Sequence, residues 1–315
     1  MNLYIALKKE LELASCFERD RYPFLCEMSL VSLVSIVGYS VMLLAPPFTT
    51  NLFILFCLAF VWVRAGFISH EASHNNLFSH RHSNQWAGQL FLTLLTGVSY
   101  SLFQKTHHWH HAHPEDTSDV RPHGGTISLF NRTREYIPTQ LQGGSLWLLS
   151  IFRAYSLHLE GLNYLFSESK KTFADQYLLL IHYFAWLVVP SMILGASTAI
   201  GNYLIINLIA GLYVGPLLLL SHTGHQPVSV TEENKLRLET ILTATRNIKN
   251  SAVIEFLLKG TREHVEHHIF PSIPYHKLRE SSTIIARFCQ QHHLDYSKME
   301  LPRVLHIVSN KRLRK

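Results

Sequence analysis

Residues 28–63 read MSLVSLVSIVGYSVMLLAPPFTTNLFILFCLAFVWV and contain no Asp, Glu, Lys or Arg. A turn that includes two prolines, residues 45–51, interrupts this run near its middle. A helix of about 20 apolar residues crosses a bilayer core of about 30 Å. The two halves therefore predict two membrane-spanning helices, near 28–45 and 51–68, joined by a tight uncharged turn.

A second uncharged run covers residues 176–231, with a break near 195–198, and predicts spans near 177–195 and 200–220. Only 16% of the residues are charged and 47% are hydrophobic, whereas about a quarter charged is usual for soluble domains. The predicted fold is an all-α integral membrane protein with four transmembrane helices in two hairpins and a cytoplasmic histidine-rich cap. Because no repeat or long linker interrupts the chain, residues 1–315 are predicted to form a single domain.

A third apolar run, residues 83–104, contains Thr93, Thr96, Gly97 and Ser99 and is a weaker candidate for a span. A fifth crossing would also place the histidines that follow it on the side of the membrane opposite the earlier ones. We therefore predict a re-entrant or interfacial segment, paired with the apolar residues 145–152.

Positive charge predicts the orientation. Lys8, Lys9, Arg19 and Arg21 lie near the N-terminus, residues 311–315 read KRLRK, and both outer turns lack Lys and Arg. Both termini and the active site are predicted to be cytoplasmic. The net charge of +6 then reflects an anionic membrane surface, and no nucleic-acid partner is expected.

Three histidine clusters follow apolar stretches. Their histidines are spaced at i, i+3 or i+4, which places them on one face of a helix, where imidazoles converge as metal ligands. The candidate ligands are His70 and His74 (box I), His107, His110 and His111 (box II), and His264, His267 and His268 (box III). Because one ion needs three or four such ligands, eight histidines predict two ions. Imidazole suits iron, copper, nickel and zinc, and oxygen chemistry beside a membrane favours iron.

The set H-x-x-x-H, H-x-x-H-H and H-x-x-H-H, with two predicted hairpins and residues 270–274 reading FPSIP, resembles the membrane fatty acid desaturase and hydroxylase superfamily over residues 28–280. The resemblance implies a non-haem centre of two histidine-bound iron ions, which uses O2 and two external electrons to remove hydrogen from an unactivated C–H bond. The expected reaction is desaturation of a lipid-linked fatty acyl chain. Hydroxylation of a lipid or small amphipathic substrate is the alternative, since the boxes do not distinguish the two. The expected electron donor is of the ferredoxin or cytochrome b5 type.

Family members tend to supply a further ligand between the last span and box III. His222 is the first candidate here and His225 the second. Box I, with three residues between its histidines, is more similar to the acyl-lipid branch of the family than to the acyl-CoA branch. Arg262 stands where many members have Asn shortly before the third box, so the identity of any ninth ligand stays open.

Two other functions fit parts of the chain. Residues 70–74 match the H-E-x-x-H pattern of zinc metalloproteases, with Glu71 as general base. That function would leave boxes II and III unused, and residues 176–231 lack an acidic ligand. A haem-binding electron carrier would need axial histidines on facing spans, and only His182 lies well inside a predicted span. Glu71 and Glu266, inside the boxes, either orient imidazoles or serve as solvated or capping residues.

Overall fold

The computed structural model of the chain describes residues 2–112, 138, 142–167, 172–222, 238–249 and 252–310. Most of these residues are helical, as predicted. The chain divides into two compact units, each assembled from separate stretches of sequence. The span unit comprises Asp20–Lys105 and Leu149–Pro216, and the box unit comprises Met1–Arg19, Thr106–Leu148 and Leu217–Lys315. The single domain expected for residues 1–315 stays a prediction.

The helices of the described residues, in chain order, are α1 (Leu3–Leu13), α2 (Arg21–Leu43), α3 (Phe48–Ser73), α4 (Arg81–Gly88), α5 (Tyr100–Ala112), α6 (Gln142–Ile151), α7 (Arg153–Ser167), α8 (Phe173–Tyr183), α9 (Val189–Leu194), α10 (Ala196–His222), α11 (Leu238–Ala244), α12 (Ala252–Leu258), α13 (His264–Ile269), α14 (Tyr275–Gln291) and α15 (Leu301–Ser309). Short π-helical segments, Gln89–Leu94 and Phe184–Val188, continue α4 and α8. A 3-10 turn, Lys259–Arg262, follows α12. Strands β1 (Asn247–Ile248) and β2 (Lys298–Met299) form a parallel pair.

Four stretches of the described chain are long and apolar enough to cross a membrane: Arg21–Leu43, Phe48–Ser73, Phe173–Leu194 and Ala196–Leu220. They confirm the number of predicted spans and their approximate positions. The third and fourth are separated by Gly195, whose φ of +85° lies in the left-handed region that favours glycine. This residue accounts for the predicted break near 195–198.

The first two spans extend beyond their predicted ends. The helix α2 begins at Arg21 rather than at residue 28, because the Asp20 side chain caps its first turn by accepting a backbone N–H at 2.9 Å. The helix α3 continues past residue 68 to Ser73, and its internal charge, Arg64, is paired with Glu27 at 2.8 Å. Box I was expected just beyond this span, and instead it begins inside the helix.

Small and aromatic side chains pack the interior of the span unit. The α carbon of Gly38 lies so close to α3 that an added Cβ would stand 3.0 Å from a Leu58 methyl group. Trp62 of α3 meets Trp186 edge-on, with ring centroids 4.9 Å apart. Large apolar side chains on the outer faces are exposed, including Leu30, Leu33, Ile36, Leu180 and Met192. Exposed apolar faces of this extent suit a lipid environment.

Residues 83–104 do not form one helix. The chain turns at Gly97, with φ of +75°, between the π-helical segment and α5. The buried Asp175 side chain of α8 fixes this turn by accepting hydrogen bonds at 2.8 Å from the Thr93 hydroxyl, the Ser99 hydroxyl and the Ser101 N–H. The observed packing partner is therefore α8, whereas the pairing with residues 145–152 stays a prediction. The re-entrant or interfacial position of the segment stays a prediction.

The core of the box unit includes the contact between α1 and α14. Leu7, Leu11, Ile285 and Phe288 are fully buried there. The ring of Phe270, the residue directly after α13, packs with its centroid 4.8 Å from that of Tyr4. This core holds the short helix α13 against longer elements, although α13 itself has only six residues.

Candidate metal centre

Box I lies at the C-terminal end of α3. His70 is in the last turn, and His74 is the residue that caps the helix end. Their ring centroids are 5.2 Å apart, and each ring offers a nitrogen within 4.8 Å of a nitrogen of the other. The spacing of four residues along a continuous helix brings the two imidazoles together, as the sequence predicted.

Box II lies on α5, and its three histidines occupy the last two turns of the helix. The Nε2 atoms of His107 and His111 are 3.1 Å apart. His110 faces another way, with its ring centroid 6.4 Å from that of His107. Box II therefore divides into a pair and a single ligand.

Box III occupies α13, where His267 and His268 are buried. The Nε2 atoms of His264 and His268 are 3.1 Å apart, whereas the His267 ring lies 6.0 Å from that of His264. Box III thus repeats the division of box II into a pair and a single imidazole.

In the box unit, the pair of box II associates with the single imidazole of box III, and the pair of box III with the single imidazole of box II. His267 joins the box II pair, and its ring centroid lies 4.6 Å from that of His111. His110 joins the box III pair, with a ring separation of 4.8 Å from His268. Within each group of three, the ligand nitrogens lie within 4.8 Å of one another.

These separations fit ions bound between the imidazoles. Metal–nitrogen bonds of about 2.0–2.1 Å at angles near 90–110° place two ligand nitrogens about 3 Å apart, which agrees with the 3.1 Å found in both pairs. Two hydrogen-bonded imidazoles would also show this distance, but neither pair is isolated, since a third imidazole completes each group. Neutral nitrogen donors suit iron, zinc or copper, in agreement with the predicted ligand chemistry.

Glu71 is buried and lies beside box I, which is incompatible with the solvated role considered for it. One carboxylate oxygen is 3.4 Å from Nδ1 of His70, and the other accepts a hydrogen bond from Asn76 at 3.2 Å. A carboxylate next to Nδ1 favours the tautomer that carries its proton there and leaves Nε2 available to a metal. The structure therefore supports an orienting role for Glu71.

Glu266 of box III is also completely buried. Its carboxylate accepts hydrogen bonds from the Asn247 amide and the Tyr296 hydroxyl. Burial raises the pKa of the Glu266 carboxyl, while these two hydrogen bonds act in the opposite direction. Asn247 and Tyr296 belong to no histidine motif, and their separation from box III in sequence gave no signal that they would meet it.

The remaining candidates fall at or beyond the end of α10. His222 is the last residue of that helix, and its side chain lies outside the described part of the structure. His225 lies outside the described residues altogether. The choice between them as a further ligand stays a prediction.

The model of the family described as "Fatty acid desaturase" matches residues 45–299. The chain is 23% identical over 264 residues to an acyl-lipid (9-3)-desaturase of Physcomitrium patens, covering 78% of this chain and 49% of that protein. It is 22% identical over 262 residues to the Delta(5) fatty acid desaturase fat-4 of Caenorhabditis elegans, covering 75% and 57%. A mouse fatty acid desaturase 2-like protein, FADS2B, matches over 304 residues at 21% identity, covering 92% and 61%. The chain thus spans between 49% and 61% of the length of these relatives.

Proposed function

Because the chain belongs to the fatty acid desaturase family, we propose that it is an O2-dependent oxidoreductase that introduces a double bond into a fatty acyl chain. The observation that carries this proposal is the pair of three-imidazole groups in the box unit, each drawn from both box II and box III. A nitrogen-only donor set of this size is suited to two redox-active ions.

In this proposal, His107, His111 and His267 hold one iron ion, and His110, His264 and His268 hold the other. We propose that His70 and His74 of box I, and His222, are further metal ligands. Glu71 keeps the proton of His70 on Nδ1, so that Nε2 remains a donor.

Bound iron would supply the oxidising power, derived from O2, that removes hydrogen from an unactivated C–H bond. The overall reaction converts –CH2–CH2–, O2, two electrons and two protons into –CH=CH– and two molecules of water. The protein binds and orients the acyl chain and holds the ligands. Since the reaction consumes two electrons, we propose an external donor of the ferredoxin or cytochrome b5 type.

We propose an acyl chain attached to a lipid as the substrate. Two observations support it: three residues separate the histidines of box I, as in the acyl-lipid branch, and one of the relatives is named an acyl-lipid desaturase. The same centre could catalyse hydroxylation. The product distinguishes the two reactions, because desaturation removes two hydrogens and hydroxylation adds one oxygen.

For the membrane arrangement, we propose two helical hairpins, with both termini and all three boxes on the cytoplasmic side. The four apolar helices support the spans. The basic residues near both chain ends and the uncharged outer turns support the orientation.

Metal analysis, an optical spectrum and product analysis together test the proposed function. We expect about two iron ions per chain, no Soret band, and an acyl product lighter by two hydrogens in the lipids of cells that express the chain. These products should be absent from cells expressing His111→Ala. Zinc in place of iron would support the protease instead, a Soret band would support the haem carrier, and a product heavier by one oxygen would establish a hydroxylase.

A further inference from the structure

We propose that Asn247, Glu266 and Tyr296 form a clamp that positions box III for metal binding without contacting the metal. The inference rests on the proposed function in one respect, namely that box III binds metal. The clamp residues are all in the box unit, and their mutual contacts are defined by hydrogen bonds of 2.7–2.9 Å and by a shorter one between Tyr296 and Glu266.

The helix that carries box III needs support from outside. It has six residues, and the residue at its N-cap, Glu263, makes no side-chain capping hydrogen bond. A helix this short is unstable by itself, because forming the first turn costs more than its few hydrogen bonds return. The spacing of His264, His267 and His268 therefore depends on contacts made by distant residues.

Asn247 provides the missing cap from another element. Its side-chain oxygen accepts the N–H of Val265 at 2.9 Å, which satisfies one of the backbone donors left open in the first turn of α13. Asn247 is itself fixed in β1, where its N–H donates to the Ser297 carbonyl at 2.9 Å and its backbone pairs with Lys298 of β2.

The amide nitrogen of the same side chain holds the helix at a second point. It donates to one oxygen of Glu266 at 2.8 Å, and the Tyr296 hydroxyl donates to the other. Ser282 of α14 lies 3.1 Å from that hydroxyl and completes the network. Since Tyr296 lies two residues before β2, the strand pair brings both partners of Glu266 to one place.

Glu266 lies between His264 and His267 in sequence and therefore points away from the face that they share. A rotation of α13 would move all three imidazoles, and the clamp opposes that rotation at two points, the Val265 N–H and the Glu266 carboxylate. Metal sites tolerate ligand displacements of only about 0.5 Å. The clamp residues are thus positioning residues, which act through the backbone of α13.

An exchange of amide and carboxylate tests the clamp. Asn247→Asp keeps the oxygen that caps Val265 but sets a second carboxylate against Glu266. Asn247→Asp combined with Glu266→Gln restores a donor opposite an acceptor, while the Tyr296 hydroxyl can still donate to the remaining oxygen. Tyr296→Phe, which removes a single hydroxyl, is the milder variant should Asn247→Asp fail to fold.

The measurements are iron per purified full-length chain, the rate of iron loss to a chelator, and the ligand-field spectrum of the cobalt-loaded chain. We expect Asn247→Asp to release iron about 10 to 100 times faster than the unmodified chain, because the loss of a residue that orients a metal ligand typically weakens metal affinity by that factor. The cobalt spectrum should also change. The double variant should return the rate of iron loss to within about threefold of that of the unmodified chain, since residues in direct contact couple energetically. It should also restore the cobalt spectrum. Tyr296→Phe should also lose iron faster than the unmodified chain, but by a smaller factor than Asn247→Asp.

Asn202→Asp is the matched control, because Asn202 is also buried but hydrogen bonds to Asn51 in the span unit. It should leave the cobalt spectrum unchanged even if the protein becomes less stable. The clamp would be overturned if the double variant lost iron as fast as Asn247→Asp alone. It would also be overturned if Asn247→Asp and Tyr296→Phe both retained iron as well as the unmodified chain. If the unmodified chain itself binds no iron or cobalt, the proposed function fails instead, so the two failures are distinct.

Discussion

The Nε2 atoms of His264 and His268 lie 3.1 Å apart across one turn of α13. The same distance separates Nε2 of His107 from that of His111 on α5. Each pair presents two nitrogens to a common point, and in each case the third imidazole comes from the other helix. An ion at either point would therefore link α5 to α13, so metal binding and the packing of the box unit should depend on each other.

Removing one imidazole of a pair should remove metal and activity together. We expect His107→Ala, His111→Ala and His268→Ala to lower product formation and bound iron at least 10-fold, while the protein still inserts into the membrane, because the spans do not involve these side chains. His108→Ala is the control, since His108 is exposed on the same helix. Iron per chain and product yield are measured, and full activity in one of the three variants would exclude that histidine as a ligand.

His222 and His225 should differ in their effects. His222 ends α10 directly after the fourth span, whereas His225 lies beyond Gly224, a residue that disfavours continuation of a helix by about 1 kcal/mol. We expect His222→Ala to abolish turnover and disturb the iron content, and His225→Ala to be milder. Product formation and iron per chain are compared in the two variants, and a more severe loss at His225 would reverse the assignment.

Cysteine labelling tests the membrane arrangement. In a background without the four native cysteines, Asn75→Cys and Glu115→Cys should react with a membrane-impermeant maleimide from the cytoplasmic side. Leu90→Cys should not become accessible from the outer side. Thr49→Cys, in the first turn of α3, should react from the outer side only. Labelling of positions 75 and 115 from opposite sides would show that residues 83–104 cross the membrane and that a shared metal site is impossible.

Gly97 should not tolerate a side chain. A Cβ there would stand 2.4 Å from Nε2 of His182 and 2.8 Å from Cε1 of His158, and the φ of +75° is itself unfavourable for alanine. We expect Gly97→Ala to lower the thermal midpoint of the detergent-solubilised protein markedly. Gly201→Ala is the control, because a Cβ at that helical position meets no atom within 4 Å and alanine favours the helix by about 1 kcal/mol. Equal midpoints in the two variants would contradict the close packing at Gly97.

His158 should make the stability sensitive to acid. Burial lowers its pKa from 6.5 to about 4 in the folded protein, with the rings of His182 and Tyr203 facing it at 6.3 and 6.0 Å. The unfolded chain takes up a proton near pH 6.5 and the folded chain does not. This stabilising contribution is therefore present above pH 6.5 and is lost as the pH falls towards 4, by at most about 1.4 kcal/mol per pH unit.

Thermal unfolding of the unmodified chain and of His158→Gln between pH 7.5 and 4 measures this contribution. The variant should show a flatter dependence on pH, because glutamine does not titrate, while the metal ligands contribute equally to both proteins. His80→Gln, at an exposed histidine of the same unit, should leave the slope unchanged. Parallel curves for the unmodified chain and His158→Gln would show that His158 is not held neutral.

The spans and the ligand types could be predicted from the sequence because both depend on local patterns. An uncharged run long enough to cross a bilayer needs no partner in order to be recognised, and residues 28–63 and 176–231 supplied four such helices. Histidines four residues apart approach each other on any helix, so the pairs His107–His111 and His264–His268 could also be predicted from the sequence. The helix ends were less predictable, since the paired charge of Arg64 and the cap from Asp20 extend α3 and α2.

Only the tertiary structure decided which imidazoles share a group and which residues hold them. His267 joins the box II pair and His110 the box III pair, although spacing alone placed each with its own box. Asn247 and Tyr296 reach Glu266 because two-residue strands pair across some 50 residues of sequence, and Asp175 fixes the turn at Gly97 from a different helix. Periodicity in a sequence reports which side chains share a face of one element, whereas contacts between elements depend on how the buried surfaces of the whole unit pack together.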